Sequence, residues 1–176
     1  MPLVKTLLDD QNFLEFYVTA KKDTYAVGGD GKAETLRNGG KRYVFYDGER
    51  WPQWRYTDIY HGYNPFFGNE AVEEISGTDP SVWAPIAAMS YYGYANADSG
   101  MVRRIFTFVQ EELKTVSTKM PFRGSNDFFD KNKDMFYGCR WDRKDPYTVS
   151  GEEYADLQET VGLARYQLYF LFCCLR

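Results

Sequence analysis

The residue around which chemistry would turn is Asp58. Residues 54–61 alternate, so Trp54, Tyr56, Asp58 and Tyr60 share one face of a strand, with Arg55, Thr57, Ile59 and His61 on the other. An aromatic face turns inward, and a carboxylate carried with it is expensive unless hydrogen-bonded or paired. Such a group serves as a general acid or base, or as a ligand anchor, with its pKa displaced. The structural alternative is a carboxylate satisfied inside the fold by tyrosine hydroxyls or Arg123. Two further acids stand in matching contexts, Phe67-Gly68-Asn69-Glu70 and Ser150-Gly151-Glu152-Glu153, each reading Gly-x-Glu on a strand. If Glu70 or Glu153 converges with Asp58, paired carboxylates could run acid–base chemistry on a sugar or nucleoside. If not, each is a solvated or hinge-stabilising group. Arg123, in Pro121-Phe122-Arg123-Gly124, is suited to a bidentate carboxylate or phosphate contact, or to a fixed salt bridge with Asp58 or Glu70.

Several other chemistries find no support. His61 is the single histidine, and no Ser-His-Asp, Cys-His or G-x-S-x-G pattern accompanies it. One His and three Cys leave little for a zinc site, and no metal or cofactor is expected. Cys139, Cys173 and Cys174 are odd in number and lack a secretory context, which reads as reduced thiols in a cytoplasmic protein. Gly28-Gly29-Asp30-Gly31 is followed by Lys32, but the earlier glycine of a phosphate loop would be position 26, which is alanine. The charge of −4 opposes a duplex-DNA or anionic-membrane partner.

Aromatic residues make up 18% of the 176, 15 of them tyrosine. Most should pack a half-buried sheet. Tyr56, Tyr60, Tyr63, Tyr91, Tyr92 and Tyr94, however, cluster near strand ends, where hydroxyls line pockets. The same rings are compatible with self-association.

The elements that must position these groups follow from periodicity. Residues 1–8 read as a lead-in and 9–176 as one domain. Asp9 and Asp10 precede Phe13, Leu14, Tyr17 and Val18, an amphipathic helix with Lys21 and Lys22 at its end. Strands are expected at 41–47, 53–61, 66–74 and 82–92, with Asp47-Gly48 as a hairpin turn and Pro85 at an edge or bulge. Asp98 or Ser99 caps a second helix that buries Val102, Ile105, Phe106, Val109 and Leu113. Strands resume at 135–141, 147–158 and 163–175, the last apolar on both faces and therefore central. The order α-β-β-β-β-α-β-β-β gives an α+β fold: a bent antiparallel sheet of about seven strands with two helices. The repeated Gly-x-Glu suggests an internal duplication.

A set of motifs in fixed order carries a family resemblance. They are Phe13-Leu14 to Ala20-Lys21; Thr24-Tyr25-Ala26 with the glycine cluster; Trp54-Arg55-Tyr56-Thr57-Asp58 with Tyr60 and Gly62; Phe67-Gly68-Asn69-Glu70; Met89-Ser90-Tyr91-Tyr92-Gly93; and Pro121-Phe122-Arg123-Gly124. Over residues 12–172 the chain resembles an uncharacterised bacterial domain family often found behind a helix-turn-helix of the XRE type. That family has no established activity to carry over. Nothing before Asp9 has the length of a helix-turn-helix, so direct DNA binding is not expected.

Three functions compete. The first is a small-molecule-binding, sensor-like domain whose pocket is lined by Trp54, Tyr56, Tyr60, Tyr91, Tyr92, Arg123 and Glu153. The second is a hydrolase working through Asp58 and Glu70. The third is an interaction or inhibitory module using exposed aromatics. An enclosed cavity favours the first two; a flat aromatic patch favours the third.

Overall fold

A computed structural model describes residues 6–24, 33–123, 128–130, 134–143, 145–159 and 162–174. The glycine cluster at 28–31 lies outside the described residues, as do 124–127 and 131–133 between the second helix and the later strands. The first helix, α1 (Gln11–Asp23), starts where Asp10 accepts from the backbone N–H groups of Asn12 and Phe13, at 2.9 and 3.3 Å. Before it, Leu7–Asp9 form a 3-10 turn, and Leu7 and Leu8 pack against the core. The second helix, α2 (Ser99–Leu113), is capped in the same way by Asp98.

Nine strands form one antiparallel sheet: β1 (Glu34–Thr35), β2 (Lys41–Phe45), β3 (Trp54–Gly62), β4 (Phe66–Ile75), β5 (Trp83–Asn96), β6 (Phe128–Asp130), β7 (Met135–Arg143), β8 (Thr148–Glu159) and β9 (Gly162–Cys174). Their spatial order is β1-β2-β3-β4-β5-β9-β8-β7-β6. The fold is α+β as expected, with two strands more than the sequence reading. The additions, β1 and β6, are the short strands at the two edges, where two or three residues carry no periodicity to read. Between β2 and β3 the chain does not turn tightly at Asp47-Gly48. The connection runs over 46–53, with the Asp47 carboxylate accepting from the N–H groups of Glu49 and Arg50. Pro85 does mark a bulge: the β4–β5 register slips between Val72 and Glu73, which pairs with Pro85.

The chain thus runs helix then meander twice, and the two last strands, β5 and β9, meet at the centre. Tyr91 and Phe170 face each other there, flanked by Met89–Phe172 on one side and Gly93–Leu168 on the other. An approximate twofold through that pair relates the halves. It brings the Gly-x-Glu motifs into equivalent register. Gly68 lies opposite Tyr91 and Glu70 opposite Met89, while Gly151 lies opposite Phe170 and Glu153 opposite Leu168.

Both helices cover the same sheet face. Phe13 and Phe16 of α1 pack on Trp54, and Tyr17 on Tyr56 and Phe172. In α2 the buried stripe is Val102, Ile105, Phe108, Val109 and Leu113. Phe106, expected in that stripe, is only half-buried and rests edge-on against Phe66 and Tyr166; Phe108 occupies the core instead. β9 is central, yet its outward residues Tyr169 and Leu171 are each 48% exposed, because among the described residues no helix packs on the sheet's other face.

Candidate functional site

Antiparallel register sets Asp58 of β3 directly across from Glu70 of β4. Both are buried, as are Lys21, Arg123 and Glu153. Lys21 comes from α1, where it lies one turn beyond Tyr17 on the apolar stripe rather than at the solvated helix end. Its Nζ donates to Glu70 Oε2 at 2.9 Å, and the Tyr17 hydroxyl donates to the same oxygen at 2.7 Å. Lys21 Nζ also reaches the Tyr17 hydroxyl at 3.0 Å. Arg123, which follows α2, pairs through Nε with Glu153 Oε2 and not with Asp58 or Glu70. Among the described residues, Glu70 Oε1 and Glu153 Oε1 are buried oxygens without a hydrogen-bond partner.

Asp58 has a different setting. The Tyr91 hydroxyl donates to its Oδ1 at 2.8 Å, and no lysine or arginine forms an ion pair with it among the described residues. Burial and the adjacent Glu70 push the Asp58 carboxyl up to about 7, against the opposing pull of Tyr91, Lys21 and Arg123. The Tyr91 hydroxyl is raised well above its ordinary value, first by burial and then by Asp58. Lys21 is lowered, chiefly by desolvation.

Above Asp58 lies a cavity of about 440 Å³ between β3 and α2. Asp58, Tyr91 and Arg123 line it, as do Tyr43, Tyr60, Phe66 and Tyr166 from the sheet side. From α2 come Arg103, Phe106, Thr107, Val109, Gln110 and Leu113. Tyr63 also lines it, and Gly62 before it adopts φ +82°, where an added Cβ would lie 2.4 Å from the Pro65 carbonyl oxygen. The β3–β4 turn can therefore fold back only with glycine there.

The sequence-selected residues divide three ways. Asp58, Tyr60, Tyr91 and Arg123 meet in the cavity wall. Glu70 and Glu153 lie next to two of them, each with a cation of its own. Trp54 and Tyr56 share Asp58's face, but α1 packs over them, so they do not line the cavity. Tyr92 corrects the expectation most clearly. It follows Tyr91 on the same strand, so its ring points to the opposite face, where it is 48% exposed. His61 is on that outer face too, stacked on Phe67 at 5.3 Å.

Lys21, Tyr43, Phe66, Phe106 and Tyr166 escaped the sequence reading. For Lys21 the signal was present, since it continues the spacing of Phe13, Leu14 and Tyr17. For Tyr43, Phe66 and Tyr166 only the strand pairing reveals the convergence.

No curated protein and no solved structure matches this chain. Residues 58–170 match the family described as a domain of unknown function, DUF5680. The matched span opens at Asp58 and takes in Glu70, Tyr91, α2, Arg123 and Glu153, with the greater part of the sheet. The chain belongs to the DUF5680 family.

Proposed function

We propose that this domain binds a small organic molecule in the cavity between β3 and α2, with Asp58 as the anchor. The observation that carries the reading is the hollow itself. It is a cleft open to solvent along α2, and about 440 Å³ walled largely by aromatics above a buried carboxyl has the dimensions and chemistry of a ligand site. On this reading the domain is the sensing part of a bacterial cytoplasmic protein, of the kind often placed behind an XRE-type helix-turn-helix. Its own partners exclude duplex DNA and membranes, given the charge of −4.

A hydrolase reading draws on Asp58, whose pKa of about 7 suits a general acid or base at neutral pH. Its second carboxylate is the weak point, because Glu70 is engaged by Lys21 and Tyr17. Ligand binding needs only the groups that line the hollow. The test is a thermal-shift screen of small organic compounds against the wild type and Asp58→Asn. A ligand present at a hundred times its Kd stabilises by about 2.7 kcal/mol, a shift of several degrees for one domain. Compounds that shift the wild type and not Asp58→Asn support the reading. Compounds that shift both equally place the ligand elsewhere.

A further inference from the structure

We infer that the cavity takes an aromatic organic cation, with its positive charge seated on Asp58 and its ring held among Tyr60, Phe66 and Phe106. The inference rests on the small-molecule reading above and adds the ligand's chemical class.

It comes from the charges beneath the cavity. Among the described residues, the buried charges beside Asp58 are two more carboxylates, Glu70 and Glu153, and two cations, Lys21 and Arg123; the remaining buried acid, Glu112, sits on α2. Each cation forms an ion pair with one glutamate, Lys21 with Glu70 and Arg123 with Glu153. Asp58 is the third acid, held by the neutral hydroxyl of Tyr91. It is also the one of the three that lines the cavity. An ionised carboxylate so placed is costly unless a positive charge arrives. Two species can supply that charge: a proton on Asp58 itself, or a cationic group entering from the cavity.

The walls favour the cation. Tyr43, Tyr60, Tyr63, Phe66 and Phe106 surround the approach, and ring faces attract a desolvated ammonium. An anion would fare worse. Arg123 is engaged by Glu153, and beyond Asp58 stands Glu70. Arg103 of α2 also lines the cavity, but it is exposed, so water and salt screen it. Among the described residues, the charged and titratable groups around Asp58 are thus Glu70 from β4, Tyr91 from β5, Lys21 from α1, Arg123 after α2 and Arg103 on α2, with the tyrosines Tyr43 across from it on β2, Tyr60 and Tyr63 on its own strand and turn, and Tyr166 on β9. A bound cation replaces the proton on Asp58, so binding releases a proton and tightens as pH rises through neutrality.

Calorimetry of the unaltered protein with three indole probes tests this without a variant: tryptamine, indole-3-acetamide and indole-3-acetate, which differ in charge on a common ring. Tryptamine is expected to bind at least about tenfold more tightly than the other two. Its affinity should rise from about pH 6 to about pH 8, with proton release visible as a dependence of the heat on the buffer. In Asp58→Asn the amine should lose its advantage and bind no better than the amide. If amide or acetate binds as well as the amine, the cation inference is overturned and the cavity remains a ligand site. If none of the three binds, the aromatic-cation inference is overturned, and the ligand-site reading is decided by the compound screen against Asp58→Asn.

Discussion

In the first half of the sheet Glu70 meets Lys21, which α1 delivers, and the residue across from Glu70 on β3 is Asp58. In the second half Glu153 meets Arg123, which arrives after α2, and the residue across from Glu153 on β7 is Cys139. Around these positions the halves agree closely. Tyr56 and Tyr137 are both fully buried two residues before Asp58 and Cys139, and aromatic Tyr60 and Trp141 follow two residues after. The helices do not agree. Counted from their N-caps, Asp10 and Asp98, Lys21 on α1 corresponds to Val109 on α2.

The difference separates scaffold from site. A glutamate with its own buried cation occurs on both sides of the dyad, so the ion pairs belong to the architecture. What one half has and the other lacks is an additional acid. Burial pushes the Cys139 thiol up to about 12, which keeps it neutral and inert, whereas Asp58 titrates near 7 beside an open cavity. Val109 in place of a lysine puts an apolar side chain at that point of the cavity wall.

The strongest way to break this comparison is to remove the cations. Lys21→Met and Arg123→Met each strand a buried glutamate, and each is expected to cost about 3–5 kcal/mol in urea unfolding. The double variant Lys21→Met/Glu70→Gln should recover most of that loss. A cost below about 1 kcal/mol for either single change would mean that the two pairs are not equivalent supports.

Next in size is the pH response of Asp58. Its folded pKa of about 7 lies above the ordinary 3.8, so on raising the pH the unfolded chain loses its proton first. Stability contributed by this group is therefore full below about pH 4, falls from there to about pH 7, and levels off beyond. The fall should amount to a few kcal/mol. Asp58→Asn removes it, so the variant gains on the wild type as the pH rises. Cys139→Ser should leave the curve's shape unchanged, since the thiol titrates far outside that window. A flat difference between wild type and Asp58→Asn over that range would show that Asp58 carries no uncompensated charge.

Much of the fold was legible because periodicity survives wherever one face is buried. The alternation of 54–60 gave Asp58 its inward face, and the stripe of α2 was right at Val102, Ile105, Val109 and Leu113. The pattern put Phe106 in the stripe and passed over Phe108, because periodicity does not show that α2 meets a cavity at Phe106, which leaves that ring half-buried while Phe108 packs in the core. Tyr91 and Tyr92 were grouped by composition, although their adjacency on a strand forces them apart. The convergence of Tyr43, Phe66 and Tyr166 on Asp58 depends on pairing among strands distant in sequence, which no local spacing encodes.

A subtler probe uses the equivalent glycines. A Cβ on Gly68 would lie 2.3 Å from the Tyr91 hydroxyl and 2.7 Å from the Ile59 carbonyl oxygen. On Gly151 it would lie 2.4 Å from Phe170 Cζ and 2.6 Å from the Arg140 carbonyl oxygen. Both alanine variants should lose about 1–3 kcal/mol through overpacking. Only Gly68→Ala moves a ring that holds Asp58, so it alone should also weaken tryptamine binding. Equal loss of binding in both would place the site on neither half in particular.

The smallest change makes the two halves alike at the dyad. Tyr91 and Phe170 face each other there, and they differ by the one hydroxyl that donates to Asp58. Tyr91→Phe keeps the ring that covers Gly68 and removes only that donor. Since the hydrogen bond holds the Asp58 pKa down, its loss should move the carboxyl above 7, followed by the 13C shift of Asp58 against pH. Stability should fall by about 1 kcal/mol below pH 6, where Asp58 keeps its proton, and by more above pH 8, where an ionised carboxylate has lost its donor. The amine probe should weaken as well, because the proton it must displace is held more tightly. The corresponding change across the dyad, Phe170→Tyr, brings its hydroxyl toward Gly151 with no acid like Asp58 on β7 to receive it, and should leave Asp58's titration where it was. A midpoint that stays fixed in Tyr91→Phe, or falls, would mean that the hydroxyl serves the packing of the dyad rather than the carboxylate.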